Sequence, residues 1–72
     1  MASDEQNLVS DIGFAAGSVW QFLSKNPGAT LKSIGDGTGL KQKMVYQAIG
    51  WLAREGKIQS TDDGKKVKYS LT

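Results

Sequence analysis

Apolar residues at Val9, Ile12, Ala16, Val19, Trp20 and Leu23 recur at helical spacing. This pattern predicts an amphipathic helix over about residues 5–25. Ser3 with Gln6 suits a capping box at its start, or Asn7 caps it one turn later. Asn26-Pro27-Gly28 ends it, because the residue before a proline is pushed out of the helical region. At 100° per residue the apolar arc also takes in Leu8, Ala15 and Phe22, and it spans about 160°, wider than the ~100° stripe that one core requires. Gly13 and Gly17 sit beside that arc, where a second helix can approach closely, and Phe14 lies on the far side. The pattern predicts a helix covered on two sides, by its own core and by another subunit. Gly13, Phe14, Gly17 and Phe22 are the candidate dimer-interface residues.

Ala29-Thr30-Leu31 reads as a short strand or extended lead-in, with Thr30 as the N-cap of a short helix over about residues 31–37. That helix carries Leu31 and Ile34 but also Gly35 and Gly37, each costing about 0.8–1 kcal/mol against alanine. Gly39 suits a left-handed turn. Over residues 41–55, Val45, Ala48, Ile49 and Leu52 share one helical face, and Gly56 supplies the stop. Lys57–Thr61 and Lys66–Leu71 read as strands. In the second, Val67, Tyr69 and Leu71 alternate with Lys66, Lys68 and Ser70, the pattern of a half-buried hairpin, and Asp62-Asp63-Gly64 makes the turn.

The order is helix, short strand, helix, helix, hairpin. It predicts a single domain over residues 1–72, mainly α with a small β-hairpin (α+β), with residues 1–6 a candidate for disorder. Two helices joined by a tight Gly turn and followed by a two- to three-stranded antiparallel wing form the layout of a winged helix-turn-helix. Ile34, Gly35, Gly39-Leu40, Val45, Ala48-Ile49, Leu52, Gly56 and Ile58 occupy its expected core and turn positions. A small residue at 35 suits two helices that cross steeply.

The segments IGFAAGSVWQFL (12–23) and YQAIGWLAREGKI (46–58) also resemble a small bacterial and archaeal winged helix-turn-helix family of unknown function. The resemblance rests on an Ile-Gly-x-x-Ala-Gly-x-Val-Trp motif and a Gly-Trp-Leu-Ala-Arg-Glu-Gly motif. It covers about residues 8–60 and implies the fold, with no known reaction, substrate or DNA site. The chain departs from such domains at Lys41, where a Ser or Asp cap is common, and in the Gly-rich stretch 35–39.

Composition narrows the function classes. There is no His and no Cys, so the commonest general base and the commonest thiolate nucleophile are both missing, and no disulfide or thiolate metal site is available. Asp4/Glu5 and Asp62/Asp63 are the only clustered carboxylates, and neither pair sits in an apolar context that would raise a pKa. An enzyme is the minor reading. No apolar run approaches the ~18–20 residues of a membrane span, and the acidic start MASDEQNLVSD is unlike a signal peptide. The expectation is a cytoplasmic domain with no cofactor, no metal and no evident small-molecule substrate.

The net charge of +2 is unevenly divided. Residues 1–24 carry −3, and residues 25–72 carry all nine bases against four acids, giving +5. That asymmetry points the second half toward a polyanion or an acidic partner. Opposite the core face of the third helix lie Lys43, Gln47 and Arg54, with Tyr46 and Gly50 beside them. Such a face suits a major groove, where Gln47 reads adenine edges and Lys43 or Arg54 contacts guanine or phosphate. Lys65, Lys66 and Lys68 on the hairpin suit phosphate contacts. The blander alternatives are a solvent face lacking acids and a lysine-bearing edge that discourages aggregation.

Trp20 and Trp51 are expected in the core rather than on bases, because a domain this short needs its large residues inside. Gly35-Asp36-Gly37-Thr38-Gly39 lacks the Gly-Lys-Ser/Thr ending of a phosphate loop and reads as a turn. Glu55, Asp62 and Asp63 lack calcium-loop spacing. The leading expectation is a DNA-binding module, a transcription regulator that binds double-stranded DNA as a homodimer through its first helix. The alternative is a protein–protein interaction and dimerisation module of the same fold. The weak net charge, the acidic wing tip, the uncapped Lys41 and the wide apolar arc favour it.

Overall fold

The computed structural model describes residues 2–72 as α1 (Ala2–Lys25), α2 (Leu31–Thr38), α3 (Gln42–Arg54), β1 (Ile58–Asp62) and β2 (Val67–Leu71). The expected order of elements is therefore present, with bounds shifted by one to three residues. Met1 and the side chains of residues 2–9 lie outside the described residues. So do the expected capping contacts of Ser3, Gln6 and Asn7, whereas the backbone of residues 2–6, a candidate for disorder, is described as the start of α1.

At 1.5 Å per residue α1 is about 36 Å long, and it sets the long dimension of a domain measuring 43 × 23 × 22 Å. Its inner side carries Ala15, Ala16, Val19 and Leu23. These are buried in one cluster with Ala29, Ile34 of α2, Val45, Ala48 and Leu52 of α3, and Ile58 of β1. Phe22, Leu31, Leu40, Met44, Ile49, Tyr69 and Leu71 close over it, half-buried.

The helix ends are set locally. Thr30 has an extended backbone, and its Oγ1 accepts from the Ser33 N–H at 3.2 Å, as expected of an N-cap. Lys41 starts α3 with no side-chain cap. At the other end the Gly56 N–H donates to Ala53 O and the Lys57 N–H to Leu52 O, both at 3.0 Å. This paired closure needs a left-handed residue, and Gly56 supplies it at φ 71°.

The hairpin is antiparallel, in a register that runs from Ile58 opposite Leu71 to Asp62 opposite Val67. The short strand expected at Ala29–Leu31 is reduced to a single bridge between Ala29 and Tyr69. It is made by the Tyr69 N–H on Ala29 O at 2.8 Å and the Ala29 N–H on Tyr69 O at 3.0 Å.

One packing expectation needs correction. Trp20 and Trp51 are not core residues, being 42% and 39% exposed. The core is lined by Ala15, Ala16 and Ala48, so there is little room between α1 and α3, and each indole stays on a flank. The small residue expected at 35 does lie at the contact between α2 and α3. A Cβ at Gly35 would lie 3.8–3.9 Å from Leu40 O, Gln42 Oε1 and Val45 Cγ2, so that site has room for a methyl group. Gly37 is the sterically constrained position, because a Cβ there would overlap the Phe22 ring.

Candidate nucleic-acid interface

The inner side of α3 is fixed by Val45, Ala48 and Leu52, which leaves the opposite side to solvent. At 100° per residue Lys43, Gln47, Gly50 and Arg54 fall within about 60° of one another on that outer side. All four are exposed. Tyr46 flanks them at 55% exposure, on the side facing the hairpin. α3 contains no Asp or Glu. The ion pair among the described residues, Lys32 with Asp36 at 3.3 Å, lies on α2, and among those residues no carboxylate pairs with Lys43 or Arg54. The five α3 positions singled out in the sequence thus form one continuous surface, cationic and without acids, that is smooth at Gly50.

The hairpin sits beside this surface. Ile49 and Ala53 of α3 meet Ile58, Gln59, Ser60 and Tyr69 around a small cleft of about 140 Å³. Lys65 and Lys66 lie in the connecting turn and Lys68 in β2, all exposed. The wing's acids have a local structural role. Asp62 Oδ1 accepts from the Gly64 N–H at 2.9 Å. Asp63 Oδ1 accepts from the Lys65 and Lys66 N–H groups at 3.0 and 2.9 Å. Those backbone donors, Lys66 foremost and then Lys65, hold the Asp63 carboxyl below its ordinary value, and the Lys68 charge adds to the effect. The two carboxylates therefore shape the turn that displays the lysines.

The candidate dimer residues divide. Phe14 is 75% exposed, and it borders a shallow groove of about 320 Å³ with Gly13, Gly17, Ser18 and Gln21. Phe22 instead lies against Gly37 and the core. Sequence reasoning missed a cleft of about 390 Å³ lined by Thr30, Leu31, Lys32, Lys66 and Val67. The Ala29–Tyr69 bridge and the Gly28 N–H, which donates to Tyr69 O and the Ser70 hydroxyl, bring these distant segments together, and Val67, expected on the covered side of the hairpin, is 38% exposed at its mouth. Among the described residues no three carboxylates gather into a metal-holding group, and no helix is long and apolar enough to cross a membrane.

The comparisons with known proteins agree with this architecture. The profile of the family described as "Winged helix-turn-helix domain (DUF2582)" matches residues 3–71. Among solved structures, the chain is similar to protein BT2368 from Bacteroides thetaiotaomicron, with 26% identity and a TM-score of 0.80 over 86% of this chain and 76% of that one. It is also similar to a predicted DNA-binding transcriptional regulator from E. coli, with 26% identity and a TM-score of 0.70 over 99% and 78%. The Zalpha domain of Carassius auratus PKZ, solved in complex with Z-DNA, shares the fold at 18% identity and a TM-score of 0.73 over 85% and 97%. No curated protein sequence matches the chain.

Proposed function

The chain belongs to this winged helix-turn-helix family, and on that premise we propose that it is a DNA-binding module of the transcription-regulator type, cytoplasmic, non-enzymatic and working as a homodimer through α1. The observation that carries the reading is the outer side of α3. Lys43, Gln47, Gly50 and Arg54 share one exposed arc on a helix with no acid. A helix of this kind enters the major groove of B-DNA, which is wide enough to admit it. Gln47 then presents a bidentate amide to adenine, and Lys43 and Arg54 contact guanine or phosphate. Gly50 allows close approach to the backbone, and Tyr46 packs beside it. Lys65, Lys66 and Lys68 hold phosphates from the wing, which fixes register without reading sequence.

If about five bases per subunit neutralise phosphates, log K falls against log salt with a slope near −4 to −5. The direct test is an amide-shift titration of labelled protein with a mixed-sequence duplex at two salt concentrations. Shifts concentrated at residues 41–54 and 65–68, weaker at the higher salt, are expected. A silent α3 and wing would sink the reading and leave a protein–protein module of the same fold. The exposed Phe14 and Trp20 on α1 already favour that alternative as a companion role.

A further inference from the structure

The side of α1 turned away from the core has an unusual make-up for exposed helix. From Ile12 to Ser24 there is no charged residue. Ser10, Phe14, Gly17, Trp20, Gln21 and Ser24 are all exposed, and a Cβ at Gly13 or Gly17 would meet nothing within 4 Å. The missing side chains at Gly13 and Gly17 are thus required by nothing inside the domain, and each weakens the helix by about 1 kcal/mol against alanine.

The placement around the helix is self-complementary. Gly17 points outward, about 40° toward the Trp20 edge of the apolar arc. At 100° per residue, Gly13 and Trp20 lie to one side of it, and Phe14 and Gln21 lie to the other. A two-fold axis beside Gly17 that reverses the helix direction keeps each side and inverts the order along it. Trp20 of one copy then falls opposite Gly13 of the other, a ring against a notch, and Phe14 falls opposite Gln21. The ends of the face agree with this. Asp11 stands six residues before Gly17 and Lys25 eight after, on the Phe14 side. Reversed copies therefore bring Lys25 within about 3 Å, along the axis, of Asp11 on the other chain. A parallel pair would instead put the Phe14 sides of the two copies on opposite flanks, and Asp11 would not come near the other copy's Lys25.

From this we infer that the outer face of α1 binds a second copy of the same chain, as an antiparallel helix pair crossing at Gly17 with each Trp20 ring seated over the other copy's Gly13. The inference rests on the dimer reading above and specifies its geometry. A single helix pair is smaller than a standard interface of about 800 Å² a side, so the dimer is concentration-dependent.

Because the native chain has no cysteine, single substitutions report the crossing point directly. A Gly17→Cys side chain enters open space, so the variant folds. Its two sulfurs meet if the Cα atoms approach to the ~4.4–6.8 Å that a disulfide needs. Sedimentation of the unmodified chain over a range of concentrations is expected to show a monomer–dimer equilibrium. G17C is expected to oxidise to a covalent dimer at least tenfold faster than S10C, whose two copies would stand about 21 Å apart along the pair. A dimer in which S10C links as fast as G17C would overturn the crossing point while leaving the dimer itself intact. A monomer at every concentration would overturn both, without bearing on α3 and DNA.

Discussion

α1 and α3 pack against each other with apolar inner sides that include Ala15, Ala16 and Ala48, yet their outer sides differ in the respects that govern recognition. That of α3 is charged, of one sign, and carries the long side chains of Lys43, Gln47 and Arg54. That of α1 is uncharged from Ile12 to Ser24 and alternates glycine and serine with the rings of Phe14 and Trp20. A wet cationic surface binds a polyanion through released counterions and loses affinity in salt. A dry, notched surface gains from close packing and does not. The face proposed to meet nucleic acid and the face proposed to meet protein thus occupy opposite sides of one core.

The largest expected effect comes from the frame that holds both faces. Gly37→Ala raises intrinsic helix propensity, yet it drives a methyl group into the Phe22 ring. Overpacking of this kind costs about 1–3 kcal/mol, so the melting temperature should fall, and a rise would refute the packing account. Next is the reversal of charge on one face alone. Lys43→Glu with Arg54→Glu should weaken duplex binding at least tenfold at low salt and reduce the salt slope by about two, with sedimentation unchanged. Loss of association in that variant would mean the two faces are coupled. Phe14→Ala makes the converse separation. It should raise the dimer dissociation constant several-fold while shifting monomer stability by no more than about 0.5 kcal/mol, and duplex affinity per subunit should hold.

The smallest effect is at the wing. The folded Asp63 carboxyl titrates below its ordinary value of 3.8, so its contribution is complete above that value and is lost as pH falls through the lower, folded one. Amide shifts of Lys65 and Lys66 should report that midpoint under acid titration. A midpoint at or above 3.8 would contradict the turn hydrogen bonds.

Much of this was legible in the chain because the determinants are local. Thr30 as a cap, Gly56 as a stop and the alternation of Val67, Tyr69 and Leu71 each act within a few residues, and the order of elements follows from them. The positions on α3 needed only the inner face of one helix. What the sequence concealed depends on distance between elements. The indoles read as core material because periodicity does not report how closely α1 and α3 approach, and alanines at their contact left no room for rings. Gly35 was legible as a contact position, whereas the tighter Gly37 was not, because its constraint is a ring fifteen residues away in sequence. Phe22, placed by the wheel at the margin of a broad apolar arc, turns inward for the same reason.

The position of β2 has a consequence for how the molecule is made. It lies between the Ala29 bridge and β1, so the middle strand of this small sheet is also the last element in chain order. During synthesis from the N-terminus the three helices emerge first and can associate through nearby contacts. Ala29 must wait some forty residues for Tyr69 before its backbone is paired. Pairings between remote segments slow folding, and here one such pairing joins the α1–α2 connection to the wing. On the ribosome the helical half precedes the sheet, and the cleft between α2 and the wing exists only once the final strand has been inserted.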